Sequence, residues 1–104
     1  MKYTIILQDE AINDAMEAWN WYESQQPGLG AHFEADLEAC YDYLEINPGH
    51  FQLIHPPFRK AHLSKFPYSV AYEIREDTKK VIVFAVSGQK KDPRKLIQRI
   101  MQRD

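Results

Sequence analysis

The chain has 104 residues, 44% of them hydrophobic, and a formal net charge of −2 at pH 7. This length predicts one domain over residues 1–104, large enough to bury a single core without disulfides. The longest wholly apolar stretch, Val81–Val86, has six residues, whereas a helix needs about 20 to cross a bilayer, so no membrane-spanning helix is predicted.

The first half of the chain predicts one strand and two helices. Lys2–Leu7 is short and rich in β-branched and aromatic residues, which favours a strand. Apolar residues recur at helical steps over Glu10–Gln26 until Pro27–Gly28 stops the pattern, and this predicts a first helix. A second apolar stripe beyond Gly30 predicts a helix that ends at the turn signal Asn47–Gly49. Because the connection is short, we expect the two helices to pack as an antiparallel pair.

The second half predicts three strands and a short helix. Pro56–Pro57 interrupts regular structure, and after it the side chains alternate along Arg59–Lys65. The alternation is cleaner along Phe66–Arg75, and the face that we expect to meet the helices carries Phe66, Tyr68, Val70, Tyr72 and Ile74. Lys80–Val86 is apolar on both faces, as in a central strand that is covered twice. Leu96–Met101 is amphipathic at helical spacing and predicts a final helix.

These elements together predict the fold class. It is α+β, with an antiparallel β-sheet packed on an N-terminal helical hairpin and the element order β-α-α-β-β-β-α. No internal repeat or low-complexity segment interrupts the order.

The two halves of the chain carry opposite charge. Residues 1–58 hold Lys2 as their one cation against ten acidic residues, a formal charge of −9, whereas residues 59–104 hold twelve lysines and arginines against five acids, a formal charge of +7. Such asymmetry predicts a site for a polyanion, either nucleic acid or the acidic side chains of a partner protein. A solvated basic surface without a partner is the alternative.

Three further patterns each argue against a class of protein. Cys40, the one cysteine, cannot form an intrachain disulfide, and its place on the apolar stripe of the second helix predicts a buried, unreactive thiol. His50, His55 and His62 lie on a proline-broken segment at spacings that match no usual zinc pattern, so we predict no metal and no cofactor. The N-terminal apolar run ends at Gln8–Glu10, so we expect no secretory segment and a cytoplasmic protein.

Three strings in the second half carry a family pattern. They are RKAHLSKFPYSVAYEI at Arg59–Ile74, VIVFAV at Val81–Val86 and KKDP at Lys90–Pro93. In this order and spacing they resemble the RelE/ParE superfamily of toxin–antitoxin toxins, and the resemblance spans nearly the whole chain. Its most specific pieces, and those more similar to ParE-like members, are Phe66-Pro67-Tyr68 and Asp92-Pro93, with Arg99 beyond them.

The resemblance implies a partner and an activity. The partner is a cognate antitoxin, a small protein encoded beside the toxin that wraps and blocks it. ParE-like members, also described as plasmid stabilisation proteins, bind DNA gyrase and hydrolyse nothing, whereas RelE-like members cut mRNA in the ribosomal A site. The resemblance favours a ParE-like toxin, and it leaves open a RelE-like endonuclease or an inactive relative that serves as a binding module. It also leaves open a homodimer or a toxin–antitoxin hetero-oligomer.

One position departs from the family pattern. Many ParE-like relatives carry a histidine two residues after the final valine of the last strand, and Gly88 stands there in this chain. The absent imidazole leaves both the potency and the target of the toxin open.

The cations that flank the strand ends are the candidate target-binding residues, namely Arg59, Lys60, Lys65, Lys90, Lys91 and Arg94. Like charges tolerate one another when an anion lies between them. In a nuclease they would stabilise the charge on the phosphorane, and the candidate catalytic residues are then Lys65, Lys90 and Lys91. Proton carriers are scarcer, because Tyr68 and Tyr72 lie on the face assigned to the core, which leaves His62.

Two features of the helices bear on partners. Trp19 and Trp21 are too close in sequence to share a helix face, so we expect Trp19 in the core and Trp21 exposed to a partner. We expect Leu96–Met101 to close the core, and the alternative is that it occupies the sheet surface on which an antitoxin helix docks.

Overall fold

The computed structural model describes residues 2–89 and 93–102. Its elements in chain order are β1 (Thr4–Leu7), α1 (Asp9–Gln25), α2 (Leu29–Ile46), a 3₁₀ turn (Pro48–His50), β2 (Leu53–His55), β3 (Phe58–His62), β4 (Tyr68–Arg75), β5 (Lys80–Gly88) and α3 (Pro93–Met101). The predicted α+β class and the N-terminal helical hairpin are confirmed. Within the described ranges, every helix is too short or too polar to span a bilayer.

The five strands form one sheet in the order β1-β5-β4-β3-β2. The strands from β2 to β5 pair with antiparallel neighbours, as predicted. β1 differs, because it runs parallel to β5, with Thr4 opposite Lys80 and Leu7 opposite Val83. The sheet is therefore mixed rather than wholly antiparallel. This pair can be parallel because β1 and β5 are joined by a long connection, which contains the helical hairpin and the three strands from β2 to β4.

β2 is a strand that the sequence does not predict. It has three residues and pairs with β3, and the turn between the two strands contains a cis peptide bond between Pro56 and Pro57. A strand this short beside two prolines shows no alternation that would reveal it. The neighbouring strands are also shorter than predicted, since β3 ends at His62 and β4 begins at Tyr68.

The main core lies between the sheet and the helical hairpin. β4 turns Val70 and Tyr72 toward Phe33 and Leu44 of α2, and all four side chains are at most 1% exposed. The Tyr72 hydroxyl donates a hydrogen bond of 2.5 Å to the carbonyl oxygen of Pro48 and so joins the sheet to the turn after α2. The face of β4 that was expected to meet the helices is thereby confirmed.

A second core lies on the other face of the sheet, under α3. Ala71 of β4 and Ala85 of β5 pack there against Leu96 and Ile100. Ala71 lies opposite Ala85 whereas the next residue, Tyr72, lies opposite Val83, so Phe84 is the extra residue of a β-bulge. β5 is therefore covered on both faces, as its composition predicts, and α3 closes a core.

The connection between α1 and α2 is held by one carboxylate. Glu23 accepts hydrogen bonds from the backbone N–H groups of Gly28 and Gly30 at 3.0–3.1 Å, at the point where α2 begins. Gly28 has a φ of 91°, which suits glycine, and Gly30 lies against the ring of Trp19. As expected, Trp19 packs on the core while Trp21 is 57% exposed.

Gly30→Ala is expected to destabilise the fold by about 1–3 kcal/mol, because overpacking forces neighbours to shift. The added Cβ would lie 2.7 Å from Cε2 of Trp19, in the body of a ring that cannot simply rotate away. Urea unfolding followed by tryptophan fluorescence measures the change. Gly49→Ala is the matched control, since its added Cβ meets nothing within 4 Å. Equal stability of the two variants would contradict the close approach of α1 and α2.

Candidate functional site

Arg59 holds a loop. It lies half-buried on the same face of β3 as Ala61, and its Nη1 donates to the carbonyl oxygens of Phe51 at 2.7 Å and Gly49 at 3.3 Å. Both carbonyl groups belong to the segment that joins α2 to β2. The guanidinium of Arg59 therefore stabilises the entry into the sheet.

Lys60 and His62 lie on the opposite face of β3, the face that α3 covers. Lys60 is only 9% exposed, and within residues 2–89 and 93–102 no group accepts a hydrogen bond from its ammonium. Nδ1 of His62 lies 2.7 Å from Oγ of Ser69, and the strand register continues this polar row to Ser87. The structure thus places Lys60 with His62 and separates both from Arg59.

Lys65 and Arg94 are exposed near the end of the sheet where β4 begins and β5 ends. Lys65 lies in the connection between β3 and β4, and Arg94 is in the first turn of α3. Lys90 and Lys91 lie between β5 and α3 in sequence and outside the described residues. Target binding by these side chains stays a prediction.

Cations at the opposite end of the sheet are paired with acidic side chains of the same protein. Arg75 lies 3.3 Å from Oε1 of Glu73, and Lys79 lies 3.2 Å from Oε1 of Glu76. The described cations of the second half are therefore divided between two ends and two faces of the sheet.

Tyr68 and Tyr72 belong to the core, as predicted. Burial raises the pKa of the Tyr72 phenol well above its ordinary value, and its hydroxyl is already bonded to Pro48. The ring of Tyr68 packs 5.2 Å from that of Phe33, between centroids. The Tyr72 phenol is therefore not placed to pass a proton to a substrate, whereas His62 is exposed and the partly buried Tyr68 lines a cleft, so these two remain as proton carriers among the three candidates.

Asp36 shapes the connection that carries Lys65, a role that the sequence patterns do not predict. Its carboxylate accepts 2.9 Å hydrogen bonds from the Ser64 hydroxyl and from the backbone N–H groups of Lys65 and Phe66. Burial by itself raises the pKa of this carboxyl, but these three hydrogen bonds outweigh it and hold the pKa below its ordinary value. The available signal is the place of Asp36 on the apolar stripe of α2, between Phe33 and Cys40.

Asp14 is a second carboxylate with a structural role that the sequence patterns do not predict. Its Oδ2 accepts a hydrogen bond of 3.0 Å from the backbone N–H of Val86, and both of its oxygens lie 2.5 Å from Nη2 of Arg99. It connects α1, the end of β5 and α3. Its spacing from the buried residues Ala11 and Ala18 of the same helix is the signal that could have revealed it.

An apolar groove runs between α1 and α2 on the outside of the hairpin. It has a volume of about 430 Å³ and is lined by Leu7, Ile12, Ala15, Met16, Trp19, Asn20, Phe33, Glu34, Leu37, Glu38 and Tyr41. Leu7, Ile12 and Met16 are 37%, 41% and 57% exposed and line the same groove, and an apolar patch of this kind often marks a site for a partner. We call this surface the hairpin groove; its acidic residues, Glu34 and Glu38, are exposed.

Cysteine chemistry and metal binding receive no support from the described residues. Cys40 is 8% exposed, and burial raises the pKa of its thiol to about 12, so it is the unreactive side chain that was predicted. Across residues 2–89 and 93–102, no group of three or more His, Cys, Asp or Glu side chains has a geometry that could hold a metal ion.

Known proteins share this sequence pattern and this fold. A model of the family described as "ParE toxin of type II toxin-antitoxin system, parDE" matches residues 5–93. The chromosomal ParDE toxin–antitoxin system from P. aeruginosa aligns with a TM-score of 0.73 at 15% identity, over 84% of this chain and 96% of that chain. A mutant of E. coli toxin RelE in the free state aligns with a TM-score of 0.72 at 16% identity, over 99% and 98% of the two chains.

A further structural relative is the toxin–antitoxin complex RelBE2 from Mycobacterium tuberculosis. It aligns with a TM-score of 0.60 at 16% identity, over 85% of this chain and 99% of that chain. A comparison with curated proteins finds no match. At these identities the likeness to the solved structures is one of fold.

Asp36→Asn is expected to destabilise the protein by about 1–3 kcal/mol at neutral pH, because an amide offers one acceptor oxygen where the carboxylate offers two. Asp42→Asn, on the exposed face of the same helix, is the matched control and should change stability by less than about 0.5 kcal/mol. Urea unfolding measures both changes.

The same variant tests the lowered pKa of Asp36. A carboxyl whose pKa is lower in the folded state stabilises the protein above its unfolded value of about 4, and that stabilisation is lost as the pH falls through the folded value. The stability difference between wild type and Asp36→Asn should therefore shrink below about pH 4. A difference that stays constant down to acid unfolding would contradict this role.

Proposed function

The chain belongs to the ParE toxin family of type II toxin–antitoxin systems, and from this premise we propose that it acts by binding DNA gyrase. The family match over residues 5–93 carries the proposal, because it covers the sheet and both helices of the hairpin. The burial of Tyr72 supports a toxin that binds, since a hydrolase needs placed proton carriers.

We place the gyrase contact at the end of the sheet where Lys65 and Arg94 are exposed. Asp36 supports this surface by ordering the backbone next to Lys65. Lys90 and Lys91 join it in the proposal, since they lie between β5 and Arg94 in sequence. Exposed cations of this kind act mainly through steering and long-range attraction toward an acidic surface.

The hairpin groove is the proposed site of the antitoxin. An amphipathic helix can lay its apolar side along Ile12 and Met16, which are exposed on α1. Glu34 and Glu38 lie along α2 at the same groove, so the matching helix would carry basic residues beside its apolar stripe. The solved relatives of the same fold include toxin–antitoxin complexes, which supports a protein partner of this kind.

A RelE-like mRNA endonuclease is the second candidate function. It is favoured by the pairing of Lys60 with His62 on one face, with Ser69 holding the imidazole. In that activity the 2′-hydroxyl would attack phosphorus and give its proton to His62, and Lys60 would stabilise the negative charge on the phosphorane oxygens. The bond from phosphorus to the 5′-oxygen would then break, and the leaving oxygen would take a proton from water. An inactive relative that only binds its partner is the third candidate, motivated by Gly88.

The purified protein is expected to inhibit supercoiling by DNA gyrase, and Lys65→Glu should weaken the inhibition about tenfold, because it reverses a charge in the proposed contact. Lys80→Glu is the matched control, since Lys80 is exposed at the other end of the sheet. Unchanged supercoiling would exclude the gyrase proposal.

The two other candidate functions have their own tests. Cleavage of mRNA on programmed ribosomes that is abolished by His62→Ala would support the endonuclease. Normal growth on induction without antitoxin would support the inactive relative.

Met16→Glu is expected to weaken binding of the antitoxin encoded beside this gene by about tenfold or more, because it puts a charge into the apolar groove. Ile46→Glu is the matched control, since Ile46 is 67% exposed and lies outside the groove. Titration of the purified pair measures the affinities. Equal loss in both variants would show that the groove is not the docking site.

A further inference from the structure

A second cleft opens along the edge of β5. β1 ends at Leu7, opposite Val83, so the last five residues of β5 continue past the end of that neighbouring strand. α1 packs against β5, and the space left at this edge has a volume of about 310 Å³. We call it the edge cleft and define it by Asp14, Glu17, Trp21, Ser87, Gly88 and Arg99.

The edge cleft already holds one guanidinium. Nη2 of Arg99 lies 2.5 Å from both carboxylate oxygens of Asp14, and the Asp14 side chain is only 15% exposed. The bond from the N–H of Val86 to the same carboxylate keeps it in this position. The cleft is thus shaped and charged to accept a planar cation.

An acidic residue and an aromatic residue of α1 lie beside this ion pair. Glu17 is one turn beyond Asp14 on α1, and Trp21 is one turn beyond Glu17. Both are exposed, and in the part of the chain that the structure describes no cation pairs with Glu17. An exposed carboxylate next to an exposed indole is the combination that binds a guanidinium through charge and stacking together.

The floor of the cleft leaves room for a ligand. A Cβ built at Gly88 would meet only the carbonyl oxygen of Pro67, at 3.9 Å, so the space above Gly88 is open.

We propose that the edge cleft binds an arginine side chain of the antitoxin, with its guanidinium between Glu17 and Trp21. The charges match, because Asp14 is paired with Arg99 and the exposed carboxylate of Glu17 can be neutralised by the incoming arginine. Arginine fits better than lysine, since its planar group stacks on an indole and donates in several directions at once. The choice of partner rests on the proposed function, whereas the recognition of a guanidinium does not.

The guanidinium site is tested with N-acetyl-arginine amide as the probe, titrated into the full chain while the indole N–H resonances are followed by NMR. Saturable shifts of the Trp21 resonance are expected, with binding about fivefold or more tighter than that of N-acetyl-citrulline amide, the neutral isostere, or N-acetyl-lysine amide. Glu17→Gln and Trp21→Ala should each weaken the probe about fivefold or more, and both residues are exposed enough to leave the fold intact.

Asp42→Asn, at an exposed acid of α2 that lines neither the hairpin groove nor the edge cleft, is the matched control and should leave probe binding unchanged. Gly88→Leu should block the probe by filling the open space. Equal binding of arginine and citrulline probes, or equal effects of Glu17→Gln and Asp42→Asn, would overturn the site. If the probe binds but the antitoxin does not, the proposed function is contradicted and the guanidinium site in the edge cleft is still supported. If the antitoxin neutralises the toxin and binds Glu17→Gln as tightly as wild type, only the inference about the edge cleft is contradicted.

Discussion

β5 has to be covered on both faces, and the rest of the architecture follows from that requirement. Val81 and Val83 face the helical hairpin while Phe84 and Ala85 face α3, so each side of the strand needs an apolar layer. The helical hairpin covers one face of the strand. The other face is covered by α3, which has nine residues, and the ion pair between Arg99 and Asp14 adds a polar contact that joins α3 to α1.

Several acids of the negatively charged half stabilise the backbone. Asp14 accepts from the N–H of Val86 where β5 has passed the end of β1, Asp36 accepts from two N–H groups between β3 and β4, and Glu23 accepts where α2 begins. At each place regular pairing of the backbone is interrupted, and an N–H left without a partner would destabilise the fold. The charge of −9 in this half is therefore partly structural.

Local patterns predict the elements, whereas the relations between distant elements require the structure. Period-two alternation predicts β4 and its buried face, and helical spacing predicts the hairpin and α3. The parallel pairing of β1 depends on the path of the whole chain, so alternation cannot reveal it. For the site, charge alone groups Arg59 with Lys60, but the structure puts the two side chains on opposite faces of β3. Successive side chains of a strand point to opposite faces. The hydrogen bonds of Asp36 depend on where a connection passes 28 to 30 residues later.

The bulge at Phe84 sets the phase of the last part of β5. Because Phe84 and Ala85 both face α3, the side chains that follow are inverted relative to simple alternation, which brings Val86 to the hairpin core and Ser87 to the opposite face. Loss of one residue here would exchange those two environments, burying a hydroxyl among apolar side chains. Relatives that lack the extra residue would therefore need the opposite order of polar and apolar side chains at the end of this strand.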